Sequence, residues 1–261
     1  MPFFIKISDR GNLGTTPITN TTKDTKGIVW RSTTTTATVT ITWTDPQTLS
    51  CLVLPFNNLT NAATTQVQIY DDQFAGNLLL NTGPVVSNFQ ILDTGDSGTY
   101  KYSYGSTPIA VNYFTQTAGV RRLVLTINNI NTIDGYIELS RILCGDYWSP
   151  AYNTEYGLTV SINDTSTNSR SQAGNLVTDI GTIHKSINFS LPFLLTGDLF
   201  ILSKILLLNG MKTPVFVSLF PEDSDTNKEA IYQIYGKLSS SSTITNTNYL
   251  IYGSSMSIEE V

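Results

Sequence analysis

Alternating apolar and polar positions recur along much of the chain. Between residues 38 and 43, threonines alternate with Val39, Ile41 and Trp43, and this period of two places the apolar side chains on one face of a strand. Further strands are predicted at residues 65–70, 78–80, 121–127, 156–162 and 183–191. Turn-forming Gly, Pro, Asn and Asp residues separate these segments. The pattern predicts an antiparallel all-β protein.

Several boundaries follow from the same pattern. Asp45-Pro46 is expected to close the strand that contains Trp43. Leu49–Phe56 is a continuous apolar run, as expected of a buried strand, and the Asn-rich turn Asn57–Thr60 follows it. Polar connecting segments are predicted at residues 163–174 and 239–248, and a charged turn at 221–227 before a strand at 230–238.

One segment, 197–209, has a helical pattern. Thr196 or Asp198 is expected to cap its start with a side-chain oxygen, and Gly210 to supply the left-handed residue at its end. The helix is apolar nearly all round, and a small domain can hardly cover every side of it. An intersubunit contact is therefore expected. The candidate assembly interface consists of Leu199, Leu202 and Leu206.

A change of composition near residue 150 divides the chain into predicted parts. Residues 1–27 are expected to form an N-terminal arm with a short strand at Phe3–Ile7. Residues 28–150 are expected to form an antiparallel β-sandwich. Residues 151–261 are expected to form a second β domain, a β-sandwich or split barrel with one flanking α-helix.

The predicted boundary lies in the segment Asp134–Gly157. Tyr136–Leu143 is expected to be the last strand of the first domain, with Glu138 and Arg141 on its solvated face. The candidate domain hinge consists of Gly145, Trp148 and Pro150. A proline fixes one backbone dihedral angle and a tryptophan packs a large surface, so these residues are expected to hold the angle between the domains.

Residues 28–150 resemble a known fold in three segments, Leu49–Thr60, Arg121–Ile127 and Gly135–Ile142. Together these resemble the galactose-binding-like jelly roll of discoidin domains. The resemblance implies a jelly-roll sandwich in which a strand ending in an Asn-rich turn lies with a late strand whose Gly-Tyr-Ile-Glu segment closes it. The first domain is then expected to decorate a larger assembly or to serve as an interaction module.

Residues 151–261 resemble the ring-forming domain of phage tail-tube and distal-tail proteins. The segments that carry the resemblance are residues 141–145, 157–158, 164–166, 168–171, the helix with 210–215, and 258–261. The domain order departs from the distal-tail pattern, in which the ring domain usually comes first, so the position in a tail stays open. The resemblance implies a homo-oligomer, with a ring expected, among other virion proteins in the tail tip or baseplate. The protein is accordingly expected to be made in the host cytoplasm and to be located in the virion.

Composition excludes several classes of function. The 261 residues include only 13% charged residues, with a formal net charge of −5 and no basic run, so no nucleic-acid partner is expected. Met1–Ile7 is too short for a signal peptide, and polar residues interrupt the apolar stretch Leu191–Leu208, so no membrane insertion is expected. Cys51 and Cys144 either form a bridge or remain free, and free thiols are favoured because no secretion signal is visible.

Candidate chemistry is sparse. His184, the only histidine, lies between Ile183 and Lys185 in a predicted strand, and neither a catalytic triad nor a zinc site is expected around it. Paired carboxylates suited to glycoside hydrolysis are Glu138 with Asp134 or Asp146, and oxygen ligands suited to Ca²⁺ are Asp71 and Asp72 or Asp93, Asp96 and Gly98. Ordinary turns and solvated strands are favoured for each set. We expect neither enzymatic activity nor a cofactor.

Tyrosines offer the best candidate binding surface, because sugar rings stack on exposed aromatic faces. The candidate glycan or partner contacts are Tyr100, Tyr102, Tyr104 and Tyr113. The alternate spacing of Tyr100, Tyr102 and Tyr104 also fits one face of an edge strand packed on a neighbour, and this alternative is favoured. The sequence therefore favours a structural virion protein, with a carbohydrate-binding adhesin as the alternative and a polysaccharide depolymerase as a third hypothesis.

Overall fold

The computed structural model describes residues 16–23, 25–74, 76–86, 109–132, 134–221 and 225–261, and the backbone of residues 5–9. Strands contain 52% of these residues, and two α-helices are described, so the predicted all-β class is confirmed. The chain divides into two compact units. The first contains the described residues up to 149 together with 225–230, and the second contains 150–221 and 231–261.

Antiparallel strands β1 to β9 build the first unit, with a short 3-10 helix at Ile18–Thr22. The strands are β1 (Ile5–Asp9), β2 (Trp30–Arg31), β3 (Thr36–Pro55), β4 (Thr64–Tyr70), β5 (Leu78–Asn81), β6 (Val85–Val86), β7 (Ile109–Asn128), β8 (Glu138–Leu139) and β9 (Leu143–Gly145). The main sheet has the order β1-β3-β7-β4-β5, with β9 paired to β3 and β6 paired to β4. Strands β2 and β8 form a separate two-stranded sheet.

The core of the first unit lies on one face of β3, β7 and β4. Val39, Leu125 and Val67 are opposite one another on these three strands, and each is 0% exposed. Trp30 of β2 and Leu139 of β8, also fully buried, belong to the same cluster. The small sheet therefore contributes its apolar side chains to the same core as the large one.

Asp45-Pro46 does not end a strand, contrary to the prediction. β3 continues through it to Pro55, and the two predicted strands are one. Pairing with β7 moves from Thr42 opposite Arg122 to Gln47 opposite Val120, so extra residues bulge out of β3 between the two pairs. A proline has no amide hydrogen for the ladder and is tolerated at such a bulge.

The predicted strand Tyr136–Leu143 is divided in two. β8 pairs with β2 and β9 pairs with β3, because the segment passes from one sheet to the other. Glu138, predicted to face solvent, is buried and forms an ion pair with Arg31. The amide of Ser140 donates to the carbonyl of Phe56 at 3.0 Å, so the segment also lies along the end of β3.

Gly145 is not a free hinge residue. It lies in β9 opposite Cys51 of β3, and its carbonyl oxygen accepts a hydrogen bond from the Cys51 thiol at 3.6 Å. Strand pairing fixes this glycine within the first unit. Trp148 is half-buried, and the second unit begins at Pro150. The hinge role of these two residues stays a prediction.

Antiparallel strands β10 to β17 build the second unit. They are β10 (Thr159–Asp164), β11 (Thr167–Arg170), β12 (Leu176–Asp179), β13 (Ile183–Leu194), β14 (Val215–Ser218), β15 (Gln233–Leu238), β16 (Ile244–Asn248) and β17 (Ile251–Glu260). The six-stranded sheet has the order β10-β13-β17-β15-β14, with β16 paired to β17, and β11 pairs with β12 alone. β11 and β16 lie in segments predicted to be polar connections, because their exposed residues lack apolar alternation.

Helices α1 (Thr196–Asn209) and α2 (Thr226–Ile231) complete the chain. α2 was not predicted, and the strand expected from residue 230 begins at Gln233 instead.

The helical prediction for α1 is confirmed, and Gly210 ends it with φ of 52°. The capping prediction is wrong: Leu195 occupies the N-cap, and Thr196 and Asp198 lie in the first turn. The Asp198 charge still suits a helix N-terminus. Neither described helix has the length and apolar content to cross a membrane.

Candidate functional site

Of the four predicted contact tyrosines, only Tyr113 can be placed. Tyr100, Tyr102 and Tyr104 lie outside the described residues. Tyr113 is half-buried in β7, and its ring packs edge-on against Tyr147, with ring centroids 5.8 Å apart and an interplanar angle of 82°. Such a geometry is typical of a stabilising aromatic pair.

Asp146 holds the chain beside this pair. Its Oδ1 accepts a hydrogen bond from Ser50 Oγ and its Oδ2 one from Gln116 Nε2, both at 2.7 Å. The amide of Tyr147 also donates to Ser50 Oγ, at 3.0 Å. Both carboxylate oxygens of Asp146 therefore bind neighbouring strands.

The other two carboxylates considered for glycoside hydrolysis lie around Asn58. Asn58 Nδ2 donates to Asp134 Oδ2 at 2.9 Å, and Asn58 Oδ1 accepts from the amide of Glu138 at 2.7 Å. The Glu138 carboxylate pairs with the guanidinium of Arg31, which also lies 5.1 Å from the Tyr136 ring centroid. Asp134 and Glu138 thus hold the late segment against the Asn-rich turn.

The candidate calcium ligands that can be placed form an ordinary turn. Asp71 Oδ1 accepts from the Asn77 amide at 2.6 Å, and Asp72 Oδ1 accepts from the Phe74 amide at 2.8 Å. Asp93, Asp96 and Gly98 lie outside the described residues. Across the part of the chain that the structure describes, no three His, Cys, Asp or Glu side chains cluster in a way that could hold a metal ion.

The titratable side chains of β13 contact the end of β17. His184 Nε2 lies 3.0 Å from Glu259 Oε1. Burial lowers the pKa of Lys185, an effect that the Glu260 carboxylate partly offsets, and Lys185 Nζ donates to the Gln233 carbonyl at 3.2 Å. These contacts hold three strands of the second sheet together.

Both cysteines are free thiols, which answers the question that the sequence left open. Burial raises the pKa of Cys51 to about 11 and that of Cys144 to about 12. The Asp146 carboxylate adds to the shift of Cys51. A raised pKa keeps a thiol protonated at neutral pH, and a protonated thiol is a poor nucleophile.

A cleft of about 260 Å³ lies on the second unit, and sequence reasoning did not identify it. Its walls are the turn before β10 and the adjacent strands β13 and β17. In these strands Asn188 is opposite Ser257, and Ser190 is opposite Ser255. Because side chains alternate along a strand, these polar residues lie on the face opposite the buried Ile187.

An aromatic side chain and several polar groups meet in this cleft. Tyr156 is fully exposed, and Glu155 precedes it, with its amide donating to the Ser190 carbonyl at 3.0 Å. The hydroxyls of Ser190 and Ser255 are 2.9 Å apart. The Tyr156 cleft, as we call it, combines one apolar ring with a carboxylate, an amide and hydroxyls. It can bind a small ligand that has one apolar face and several hydroxyl groups.

Alternation along β13 places Asn188 and Ser190 on the same face of the strand. Their position beside Ser255 depends on the register in which β13 pairs with β17, and spacing along the sequence does not give this register. Tyr156 was assigned to the strand 156–162, whereas β10 begins at Thr159 and leaves it in the turn. Gly157, with φ of 101°, permits that turn.

The candidate assembly residues lie on the inner side of α1. Leu202 is 1% exposed and therefore cannot contact another chain, while Leu199 and Leu206 are half-buried. The periodicity located an apolar helix without showing which side the sheet covers. The exposed apolar residues of α1 are Phe200, Ile201, Leu207 and Leu208.

The fold is that of an all-β protein built from antiparallel sheets. No protein-family model and no curated protein matches the chain. Among solved structures, the chain is similar to the CBM32 of AlyQ in complex with 4,5-unsaturated mannuronic acid, with a TM-score of 0.36 and 11% identity over 54% of this chain and 95% of that one.

A second similar structure is CBM32-1 from a family 31 glycoside hydrolase of Clostridium perfringens, with a TM-score of 0.36 and 12% identity over 56% of this chain and 96% of that one. A third, truncated AlyQ with CBM32 and alginate lyase domains, has a TM-score of 0.34 and 10% identity over 73% and 49%. These neighbours are carbohydrate-binding modules, one of them joined to a lyase domain. Similarity at this level decides neither the detailed topology nor the ligand of this chain.

Proposed function

We propose that the protein binds carbohydrate, without catalysing a reaction, through the Tyr156 cleft. One observation supports this most: the fully exposed Tyr156 lines the same cleft as Glu155, Asn188 and the paired serines Ser190 and Ser255. A sugar ring presents C–H groups on one face and hydroxyls around its edge. The tyrosine would stack on the face, and Glu155, Asn188 and Ser255 would hydrogen-bond to the edge.

The cleft suits a small ligand with weak affinity. Its volume, about 260 Å³, is below the range of drug-sized pockets, which begins at roughly 300 Å³. At about 0.3 kcal/mol per non-hydrogen atom, a ligand of about a dozen such atoms binds with a Kd on the order of 1 mM. A monosaccharide or the end of a glycan chain fits these limits.

Glycan arrays followed by calorimetry with a selected sugar test the proposal. Stacking buries roughly 60 Å² of ring surface, worth about 1.5 kcal/mol at ~25 cal/mol per Å². Tyr156→Ala is therefore expected to raise the Kd about tenfold. The matched control is Tyr249→Ala, since Tyr249 is a tyrosine of the same unit that is 85% exposed and does not line the cleft.

Two results would contradict the proposal that the Tyr156 cleft binds carbohydrate. One is an array on which the wild-type protein binds no glycan. The other is an equal loss of affinity in Tyr156→Ala and Tyr249→Ala, which would place binding elsewhere or make it nonspecific. Because Tyr156 is fully exposed, its replacement is expected to leave the stability of the second unit unchanged.

A second candidate function is self-assembly as a structural protein of a tailed-phage virion, in the tail tip or baseplate region. The exposed apolar side of α1 favours the self-assembly in this proposal, since soluble monomers seldom expose contiguous apolar patches. The first unit would then decorate the assembly. Electron micrographs of virions labelled with antibody against the protein test the location. Label absent from virions and present only in the cell lysate would reject it.

A further inference from the structure

The hairpin β11–β12 forms a sheet of its own that the chain leaves uncovered. Every residue of its two strands is exposed, including Leu176 at 60% and Val177 at 52%. Ile180, which follows β12, is 83% exposed. An isolated two-stranded hairpin is marginally stable in water, and packing against another surface stabilises it.

Hydrogen bonds nevertheless hold the two ends of this hairpin together at its base. The amide of Thr165 donates to the Thr182 carbonyl at 3.1 Å, and the Gly181 amide donates to Ser166 Oγ at 2.9 Å. A Cβ atom at Gly181 would lie 2.5 Å from the backbone carbon of Thr165, so only glycine allows this approach. The hairpin therefore has a defined direction and can present a fixed surface.

The exposed side of α1 is a second uncovered surface of the same unit. At 100° per residue, Leu207, Phe200, Lys204, Leu208 and Ile201 lie in that order within an arc of about 120°. The four apolar members are between 43% and 86% exposed, and buried Leu202 lies on the opposite side. Lys204, also exposed, stands at the centre of the arc.

The two surfaces are complementary in charge. Val177 and Asp179 are two residues apart in β12, so both side chains lie on one face of the hairpin, opposite Ser169 and Thr167 of β11. Arg170 lies on the other face. One hairpin face thus offers an apolar group beside a carboxylate, and the α1 face offers apolar groups around an ammonium.

We propose that the β11–β12 hairpin of one copy packs with its Val177–Asp179 face on the exposed α1 face of a second copy. Asp179 would pair with Lys204, and Val177 would contact Leu207 or Phe200. Each copy would use its hairpin on one neighbour and its helix face on another, so the contact is head-to-tail and generates a ring or a filament. A two-fold pairing of α1 with itself would instead bring like charges at Lys204 together. This inference deepens the second candidate function and rests on its premise that the protein self-assembles.

Sedimentation velocity of the full chain tests the contact. The wild type is expected to exceed the 28.7 kDa of one chain as its concentration rises from about 5 to about 100 µM. Leu207→Asp and Val177→Asp are each expected to weaken association at least tenfold. Ile130→Asp is the matched control, because this residue is 70% exposed and lies on neither surface, and it is expected to associate like the wild type.

Mixing the two variants separates head-to-tail from two-fold contacts. Each copy of Leu207→Asp keeps an intact hairpin, and each copy of Val177→Asp keeps an intact helix face. Their mixture is expected to form dimers and nothing larger. Lys204→Asp and Asp179→Lys replace exposed charges without affecting the core. Each should weaken association, and the double variant should restore it.

Several results overturn the proposal. If the wild type is a monomer at all concentrations, both the contact and the self-assembly fail. If the wild type associates and Leu207→Asp does not, but Val177→Asp behaves like the wild type, self-assembly stands and this contact is wrong. If Ile130→Asp also loses association, the added negative charge weakens association wherever it is placed, and the losses in Leu207→Asp and Val177→Asp do not support this contact. Circular dichroism of every variant verifies that it is folded.

Discussion

At the residue scale, single side chains have roles that composition alone does not assign. Asn58 was predicted to lie in a turn, and the structure shows it bonded to Asp134 and to the backbone of Tyr136 and Glu138. A turn of this composition is readable from sequence because Asn favours such backbone conformations. Its partners lie about 80 residues away, and no local pattern shows them.

Tyr113 and Tyr156 show a similar contrast. Tyr113 was predicted as a glycan or partner contact because sugar rings stack on aromatic faces, and in the structure its ring packs edge-on against Tyr147. Tyr156 was taken for a strand residue and is fully exposed in a turn. Exposure depends on where a strand begins, and a shift of three residues at the start of β10 changed the assignment of Tyr156.

The two thiols give a prediction at this scale. Since the pKa of Cys51 is raised from 9.0 to about 11, its thiolate fraction at pH 8 is about 100-fold lower than in the unfolded chain, and that of Cys144 is lower still. Alkylation by iodoacetamide is expected to be slower by at least that factor in the native protein than in urea. The native rate should rise about tenfold per pH unit up to about pH 11.

Mass spectrometry at timed intervals measures both rates. Thr115→Cys places an exposed thiol in β7 of the same unit and serves as the control for reagent access. Native Cys51 that is labelled as fast as this control would contradict the burial that we describe. If neither cysteine is labelled even in urea, the two thiols are not free, contrary to the structure.

At the scale of elements, the pattern identified the strands that bury one face and missed several exposed strands. β4, β13, residues 121–127 of β7 and both parts of β3 were predicted because their apolar residues supply the cores, whereas residues 109–120 of β7 were not predicted. β11 and β16 are held by backbone pairing while most of their side chains are exposed, so their sequences resemble loops. The helix α1 was predicted because its apolar content and its terminal glycine agree.

The central position of β7 in the first sheet leads to a second prediction. Leu125 is 0% exposed and faces Val39 on one neighbour and Val67 on the other. Leu125→Ala removes buried methyl groups and leaves a cavity, so it is expected to lower the free energy of unfolding by about 2–5 kcal/mol. Ile130→Ala, at a site 70% exposed, should change it by less than about 0.5 kcal/mol.

Urea unfolding followed by tryptophan fluorescence measures this loss in the first unit. All three tryptophans, Trp30, Trp43 and Trp148, belong to that unit. Trp30 and Trp43 lie in the core of that unit and therefore report on its unfolding. If Leu125→Ala and the wild type unfold at the same urea concentration, the core does not lie on the face of the sheet that carries Leu125.

At the scale of the whole molecule, the pattern near residue 150 predicted a change of domain, and the first compact unit gives way to the second between Ser149 and Pro150. The predicted identity of each part, a jelly roll and a ring-forming domain, stays a prediction. Long-range register decides such identities, and a single sequence gives only the order of strands. Two features of the second unit, the Tyr156 cleft and the uncovered hairpin, have the more direct functional consequences.

A weak glycan site and head-to-tail association have a joint consequence. Each assembled copy would present one Tyr156 cleft, and several clefts binding one glycan surface would raise apparent affinity by about 10²–10⁴-fold. Leu207→Asp is then expected to reduce retention on a glycan-coated surface by about 100-fold while leaving the Kd for free sugar unchanged. Tyr156→Ala should weaken both, and Ile130→Asp neither. Surface plasmon resonance and calorimetry on the same preparations measure the two quantities. Equal retention of Leu207→Asp and the wild type would mean that each copy binds the surface on its own, whether or not the copies associate.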